Sequence, residues 1–182
     1  MSVAIGKRGD GKMVIQRQWS MPNSKTFSIK PIADLIKRYA FGTIIDPFAN
    51  DSKIATITND LDEKYDTTFH MDATDFLKMF DAQSVDTVLY DPPYSPRQVS
   101  ECYKKLNKTV NMQTTQSSYW ALQKREIARI TKSGGIVITC SWNSGGIGAK
   151  YGFEIVEILL VPHGGWHNDT IVTVERKIGD EI

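Results

Sequence analysis

The amino-acid sequence predicts an α/β fold with a mostly parallel, seven-stranded sheet that ends in an antiparallel β-hairpin. Short apolar, β-branched runs alternate with helix-type segments, which is typical of parallel strands joined by right-handed crossovers. The last two strand-type runs are separated only by residues 162–169. Because this linker is too short for a helical crossover, these two strands should pair antiparallel.

Each element follows from the residue pattern. The first helix should begin at Pro31, because proline suits a first helical turn, and Ile32, Leu35, Ile36 and Tyr39 mark its apolar face. The predicted helices are 31–40, 73–80, 96–106 and 118–131. The predicted strands are 42–45, 54–58, 67–70, 87–90, 136–140, 153–161 and 170–175. Residues 1–24 are interpreted as an N-terminal arm before a single domain over residues 25–182.

Length and composition indicate a globular protein without a membrane partner. A chain of 182 residues with 41% hydrophobic residues can bury a sizeable core. No apolar stretch approaches the roughly 18 residues of a membrane span, and the N-terminus lacks the apolar region of a signal peptide. Cys102 and Cys140 are too few for a disulfide framework and fit reduced thiols. We therefore expect a cytoplasmic location.

Charge is unevenly distributed along the chain, although the net charge is only +1. Residues 46–91 contain 11 acidic and three basic side chains, a net charge of −8, whereas the rest of the chain carries +9. This distribution fits a site for a cationic cofactor beside a surface that contacts phosphates. Solvated loop charges are an equally good explanation.

The most informative motif is Asp91-Pro92-Pro93-Tyr94, which directly follows the predicted strand at residues 87–90. Two consecutive prolines fix φ and remove two backbone donors, so the turn presents carbonyl groups without matching N–H groups. Together with the Asp91 carboxylate and the Tyr94 ring, the turn suits a planar amine. The alternative is an ordinary strand-terminating turn, since Asp and Pro are common turn residues.

Acidic residues follow four successive predicted strands, at Asp46, Asp60, Asp72 and Asp91. The carboxyl ends of parallel strands form the ligand-binding edge of an open α/β sheet. An acid after the second strand commonly holds a ribose diol, and an acid after the third can accept a hydrogen bond from an adenine amino group. Helix capping is the alternative for any one of them, but four in register favour a binding site.

Together these motifs resemble the S-adenosylmethionine-dependent amino-methyltransferases, chiefly those that modify N6 of adenine in DNA. Asp91-Pro92-Pro93-Tyr94 is similar to their catalytic motif, and Asp46-Pro47-Phe48-Ala49-Asn50 is similar to their first-strand cofactor loop. Residues 26–32 resemble their amino-terminal cofactor element. A small phage-type group of these enzymes is resembled at residues 18–23, 95–103 and 163–170. The resemblance implies a Rossmann-like methyltransferase fold for residues 25–182.

The resemblance also implies S-adenosylmethionine as the cofactor, DNA as the partner and no metal ion. The Asp91 carboxylate and the Pro92 carbonyl would accept the two hydrogens of the target amine, Pro93 would complete the rigid turn, and Tyr94 would stack on an extruded base. The cofactor-binding residues that it implies are Phe27, Ser28, Ile29, Lys30, Pro31, Asp46, Pro47, Phe48, Asn50, Asp60, Leu61, Asp72 and Ala73.

Further residues are candidates for substrate contact, namely Ser95, Arg97, Trp142, Asn143, His163, Trp166 and His167. Arg97 could contact a phosphate or be an exposed charge at a helix start. Trp166 could stack on a base or pack within the protein. His163 and His167, with Asp169, could be interpreted as metal ligands, but their Gly-Gly turn favours substrate contact or turn structure.

Two departures from the family pattern bear on the site. Asn50 stands where the family usually has Gly, and Asn is the next best residue for a left-handed backbone conformation. The chain also has too few residues for a separate target-recognition domain of the kind that many family members carry. We therefore expect relaxed specificity, or specificity supplied by a protein partner or a homodimer.

The motifs leave three alternative functions open. These are methylation of cytosine N4 in DNA, methylation of a base amino group in RNA, and binding of the cofactor by a phage protein without transfer activity. Intact Asp91 and Tyr94 argue against the last alternative.

Overall fold

The computed structural model describes residues 3–6, 13–106 and 117–179, which form a central sheet flanked by helices. The strands are β1 (Val3–Gly6), β2 (Val14–Arg17), β3 (Ile44–Asp46), β4 (Ile57–Thr58), β5 (Val85–Tyr90), β6 (Thr131–Ser141), β7 (Phe153–Val161) and β8 (Thr170–Lys177). The helices are α1 (Lys30–Tyr39), α2 (Ala73–Lys78), α3 (Pro96–Lys105) and α4 (Ser117–Ile130), with 3-10 turns at Thr26–Ser28 and Ala149–Tyr151. None of these described helices has the length and apolar character needed to cross a bilayer.

The strand order across the sheet is β1-β2-β7-β8-β6-β5-β3-β4. Strands β4, β3, β5 and β6 are parallel, and β8 is antiparallel to both β6 and β7. The predicted α/β class, the mostly parallel sheet and the C-terminal antiparallel hairpin are therefore confirmed. All four predicted helices are present, and their ends lie within two residues of the prediction.

The predicted strand at residues 67–70 is wrong. This segment makes only an isolated bridge, between Asn59 and Phe69. The hydroxyl groups of Thr58 and Thr68 accept hydrogen bonds from each other's backbone N–H groups, at 3.0 and 3.3 Å. Because these side chains take over backbone groups that a strand ladder would use, the pairing does not extend.

The sheet gains two strands from residues that the sequence did not mark as strands. Residues Val14–Arg17 form β2, which pairs in parallel with β7, and β1 pairs antiparallel with β2. Without β2, the apolar strand β7 would present a row of unpaired N–H and C=O groups at an open edge. The segment interpreted as an arm therefore contributes to the sheet.

The path of the chain through the sheet creates a crevice at the carboxyl ends of β3 and β5. From β3 the chain continues outward to β4 and then returns to the other side of β3 as β5. Ligands of open α/β sheets bind at such a reversal of strand order. Asp46 ends β3 and Asp91 follows β5, so both carboxylates lie at this point.

The core covers both faces of the sheet. Leu89 of β5 packs in one cluster with Leu35 of α1, whereas its neighbours Val88 and Tyr90 pack in another cluster with Ile127 of α4. This alternation shows that the central strands are buried on both faces, as is usual for parallel sheets. The ends of the strands, rather than the faces of the sheet, are therefore the surface left for a ligand.

A buried carboxylate fixes α1 against the sheet. The Glu157 side chain on β7 is 1% exposed and accepts hydrogen bonds from Arg38 Nη2 and the Tyr39 hydroxyl, each at 2.7 Å. Burial and this hydrogen bond to Glu157 raise the pKa of Tyr39 to about 12. Because the turn Thr26–Ser28 leads directly into α1, the contact also positions that turn.

We expect Glu157→Ala to lower the free energy of unfolding by about 2–3 kcal/mol, because Arg38 and Tyr39 lose a buried, charged partner. Asp34→Ala breaks an exposed ion pair with Lys30 in the same helix and should have a much smaller effect, because water screens that pair. Urea titration followed by circular dichroism measures both variants. Equal losses of stability would contradict the role of Glu157.

Candidate active site

The carboxyl ends of β3, β4 and β5 border a cavity of about 800 Å³. Its walls are the loops that follow these strands, the residues before α2, and α3. The site residues from the sequence prediction that line it are Pro47, Phe48, Asn50, Asp60, Leu61, Asp72, Ala73, Asp91, Pro92, Pro93 and Tyr94. The structure therefore brings the whole Asp-Pro-Pro-Tyr turn and most of the predicted cofactor residues into one cavity.

The loop after β3 is shaped by Asn50, which has a left-handed backbone with φ of 49°. This conformation was expected from the sequence and is present. The Asn50 backbone N–H donates to Asp60 Oδ2 at 2.9 Å, and the Asp62 N–H donates to Asp60 Oδ1 at 2.9 Å. Each Asp60 oxygen keeps a further lone pair, so the carboxylate is held in place and can still accept hydrogen bonds.

Asn59 links the loops on either side of the cavity, and the sequence prediction did not single it out. Its fully buried side chain donates to the carbonyls of Pro47 and Met71, each at 3.0 Å, and accepts from the Met71 N–H at 3.1 Å. Its backbone accepts from the Ala49 N–H at 2.9 Å and donates to the Asp46 carbonyl at 2.9 Å. The loop after β3 and the segment before α2 are therefore held together by one residue.

The Asp-Pro-Pro-Tyr turn is fastened at both sides. The Tyr94 N–H donates to Gln98 Oε1 at 2.6 Å, and Ser95 Oγ caps α3 by accepting from the Gln98 N–H at 3.2 Å. Trp120 of α4 donates its Nε1–H to the Pro93 carbonyl at 3.0 Å. Two helices thus hold a turn that has few backbone donors of its own.

Asp91 and Tyr94 interact directly within the turn. The Tyr94 hydroxyl donates to Asp91 Oδ1 at 2.5 Å, and the Tyr94 ring meets Trp142 edge-on at a centroid distance of 5.4 Å. Burial raises the pKa of Asp91, although hydrogen bonds from Tyr94 and Thr26 oppose the shift. Burial and the nearby Asp91 carboxylate also raise the pKa of Tyr94. Asp91 is therefore a strong hydrogen-bond acceptor that is already occupied by a donor.

Asp46 is fully buried beside the cavity and does not line it. Its Oδ1 accepts from the Phe48 N–H at 3.0 Å, whereas its Oδ2 has no hydrogen-bond partner within the described ranges. Burial raises the pKa of Asp46 well above its usual value, and the carboxylates of Asp91 and Asp60 raise it further. The predicted residue is thus close to the site, but as part of its electrostatic environment.

Asp72 caps a helix and also lines the cavity. As the N-cap of α2, its Oδ1 accepts from the Thr74 N–H at 2.8 Å, so helix capping is observed. Its Oδ2 accepts a hydrogen bond from the Tyr103 hydroxyl of α3, and Asp72 also lines the cavity. Asp72 therefore joins α3 to the far wall of the cavity.

The amino-terminal cofactor element is only partly at the site. Phe27 and Ser28 line a neighbouring cavity of about 240 Å³, which also includes Phe48, Asn50 and Asp91. The other predicted residues of this element line neither cavity: Ile29 and Pro31 are buried in the α1 region, and Lys30 is exposed and paired with Asp34. Of this element, the 3-10 turn faces the site and the start of α1 does not.

None of the predicted substrate residues lines either cavity. Ser95 caps α3, exposed Arg97 pairs with Glu101, and the Asn143 side chain accepts from the Gly145 N–H within its own turn. Trp142 contacts the site through Tyr94. Trp166 and His167 are exposed in the loop between β7 and β8.

His163 has a structural environment. Its side chain is buried, with Nδ1 2.9 Å from the Ser20 carbonyl and Nε2 2.9 Å from Thr170 Oγ1. Both ring nitrogens are therefore used within the protein, and His163 fixes the residues after β2 to the hairpin. Of the two roles that the sequence left open for His163, substrate contact and turn structure, these contacts correspond to turn structure.

Several cavity residues were missed by the sequence prediction. Three of them, Gln98, Cys102 and Tyr103, lie on one face of α3. Gln98 follows Tyr94 by one helical turn and Cys102 follows Gln98 by another, so helical spacing from the Asp-Pro-Pro-Tyr turn could have identified this face. Tyr119 reaches the cavity from α4, which follows residues outside the described ranges, and no local pattern marks it.

We expect Asp46→Asn to stabilise the fold near pH 7. The folded-state pKa of Asp46 lies above the ordinary value of 3.8, so its ionisation costs stability as pH rises from about 4 through the folded pKa. The variant should be more stable than the wild type near pH 7 and change little near pH 3. Urea titrations at both pH values test this. A variant less stable than the wild type near pH 7 would contradict it.

Asp86→Asn provides the opposite comparison. The ion pair with Lys132 lowers the pKa of Asp86, so its contribution to stability is present above pH 4 and is lost as pH falls. Its variant should therefore lose stability near pH 7, where the Asp46 variant gains.

No protein-family model and no curated protein matches this chain. Solved structures resemble it at low sequence identity. TrmN from Thermus thermophilus matches with a TM-score of 0.53 and 20% identity, over 82% of this chain and 49% of that chain. A putative methyltransferase, yhhF from Escherichia coli, matches with a TM-score of 0.52 and 9% identity, over 88% of this chain and 90% of that chain.

A third similar structure is the 1,6-didemethyltoxoflavin-N1-methyltransferase of Burkholderia thailandensis, solved with 1,6-didemethyltoxoflavin and S-adenosylhomocysteine. It matches with a TM-score of 0.51 and 11% identity, over 75% of this chain and 71% of that chain. This chain spans about half the length of TrmN. At these identities the similarity concerns the fold, and this chain has the Rossmann-like fold that these methyltransferases share.

Proposed function

We propose that this protein transfers a methyl group from S-adenosylmethionine to the exocyclic N6 amine of adenine in DNA. The observation that carries the proposal is that Asp91 and Tyr94 line the same cavity as Asn50, Asp60 and Asp72. A planar amine at the turn and a methyl donor along the strand-end loops would therefore meet in one space. The methyltransferase fold supports this class of reaction.

The residues of the cavity fit S-adenosylmethionine. The remaining lone pairs of Asp60 suit a ribose diol, and the carboxylates of Asp46, Asp60 and Asp91 suit the positive charge of a sulfonium ion. The volume of about 800 Å³ is in the range of small-molecule sites and accommodates a base as well. The similar toxoflavin methyltransferase was solved with S-adenosylhomocysteine, which supports the same choice.

The turn provides the chemistry that an aromatic amine needs. Bound S-adenosylmethionine would supply a methyl group on positively charged sulfur. The Asp91 carboxylate and the Pro92 carbonyl accept the two amine hydrogens, which favours a pyramidal nitrogen with a free lone pair. The nitrogen lone pair would then form the bond to the methyl carbon as the carbon–sulfur electron pair returns to sulfur, and the nitrogen would lose one proton. Asp91, with its raised pKa, is suited to accept that proton.

The target base lies against Tyr94 in this proposal. An adenine has to leave the base stack, or belong to a single strand, before its amine can reach Asp91. The entering amine takes the place of the Tyr94 hydroxyl on Asp91 Oδ1, and the ring remains as a stacking surface. DNA is the proposed partner, and a protein partner or a second copy of this chain is the proposed source of sequence selectivity.

Asp91→Asn should lower kcat/KM by at least about 10²-fold, because the amide presents a donor where the amine needs an acceptor. The assay uses radiolabelled S-adenosylmethionine and DNA, followed by digestion and identification of the methylated nucleoside. Asp34→Asn, an exposed change on α1, is the matched control and should keep the wild-type rate. Cofactor binding, measured by calorimetry, should persist in both variants, so that the loss in Asp91→Asn can be assigned to the transfer step.

The same assay separates the alternative functions. Label on cytosine N4 or on RNA bases would replace adenine N6 in DNA as the target. Binding of S-adenosylmethionine without label in any nucleic acid would reject the transfer activity altogether.

A second pair of variants tests the Tyr94 ring. Tyr94→Ala should lower kcat/KM by about tenfold or more, because a base loses its stacking partner. Tyr94→Phe keeps the ring and removes only the hydroxyl bonded to Asp91, so its rate should stay within a few-fold of the wild type. Equal losses in the two variants would mean that the hydroxyl, and not the ring, matters.

A further inference from the structure

Three of the four tryptophans in this chain are exposed, which is unusual for the largest apolar side chain. Trp19 is 59% exposed and Trp142 is 43% exposed, and Trp166 is fully exposed. Within the part of the chain that the structure describes, the fourth ring, Trp120, has a structural hydrogen bond, to the Pro93 carbonyl. The exposed rings therefore call for an explanation beyond packing.

The strand register places the exposed rings at the same end of the sheet, where strands β6, β7 and β2 finish. Ser141 pairs with Ile171, Ile171 pairs with Leu160, and Leu160 pairs with Arg17. Trp142 follows Ser141, the first residue of this line, by one position. Trp19 follows Arg17, the last residue of the line, by two positions. Three strand spacings separate β6 from β2, so the two rings are anchored about 14 Å apart. Trp166 lies in the β7–β8 loop between them.

This end of the sheet adjoins the candidate active site. Trp142 contacts the ring of Tyr94 at 5.4 Å, so the row of aromatic side chains begins at the Asp-Pro-Pro-Tyr turn. The row extends away from the cavity, across the ends of β6, β8, β7 and β2. A polymer whose target base is bound at Tyr94 would pass over these rings.

The Trp19 end of the row is held in a fixed position. The Ser20 N–H donates to the Pro162 carbonyl at 3.2 Å, and the Ser20 carbonyl lies 2.9 Å from His163 Nδ1. A Cβ added to Gly164 would lie 3.5 Å from Trp19 Nε1, so the indole lies against the hairpin loop. Exposed Arg17 precedes it by two residues in an extended segment, which places both side chains on the same side.

We propose that Trp142, Trp166 and Trp19 form a platform on which the bases of single-stranded DNA next to the target adenine stack. This inference rests on the proposed function and adds its substrate form. Base faces are available for stacking in a single strand and are covered in a duplex. Arg17 supplies a cation for the backbone beside Trp19. Stacking on aromatic faces tolerates any sequence, which agrees with relaxed specificity.

Anisotropy of fluorescein-labelled single-stranded DNA, a thymine tract with one adenine, measures binding without turnover. Trp19→Ala and Trp166→Ala should each weaken binding by about tenfold, and Trp19→Phe should recover most of the loss. The matched control is Phe41→Ala. Phe41 is also exposed, at 49%, but it precedes β3 and so lies at the opposite ends of the strands. Duplex DNA of the same sequence should bind at least about tenfold more weakly.

Three outcomes would overturn the platform. They are unchanged binding in Trp19→Ala and Trp166→Ala, losses in Phe41→Ala as large as in these variants, and duplex or RNA binding as tight as that of single-stranded DNA. The binding assay contains no S-adenosylmethionine, so it is independent of transfer. Platform-dependent binding without methylation of any substrate would reject the proposed function and leave the platform in place.

Discussion

The buried amide of Asn59 is the interaction on which the geometry of the site depends. Two loops that follow different strands must approach each other to enclose the cavity, and both carry backbone groups that need hydrogen-bond partners there. An amide offers donors and an acceptor on one rigid plane, so it can satisfy both loops at once. The relative positions of Asp46, Asp60 and Asp72 follow from this link. An isosteric carboxylate could not provide the donors.

The acidic side chains at the site lower the stability of the fold. Asp46, Asp60 and Asp91 are drawn together by the end of the sheet, and burial raises the pKa of each of them. Such carboxylates repel one another in a medium of low dielectric constant, and a structure selected for stability alone would replace them. Their electrostatic cost is understandable if a cationic ligand occupies the space between them.

Local signals in the sequence predicted most of the fold and the centre of the site. The Asp-Pro-Pro-Tyr turn and the left-handed Asn50 were predictable because their conformations are set by the residues themselves. Strand β2 was not, because its partner β7 lies about 140 residues away. The structural contacts of His163 could not be predicted for the same reason, since Ser20 approaches it from across the fold. The strand predicted at residues 67–70 does not form, because the Thr68 hydroxyl accepts the hydrogen bond of the Thr58 backbone N–H in place of a backbone carbonyl.

The pairing of β2 with β7 has a consequence for the order of folding. Val14–Arg17 can join the sheet only after the β7–β8 hairpin exists, because β7 supplies the edge that β2 needs. A contact of such high sequence separation forms late and carries a large loop-closure entropy. Strand β2 is thus among the last elements to dock, although it precedes the other strands of the domain core in the sequence. Trp19 reaches its place beside the hairpin only when β7 and β8 have formed.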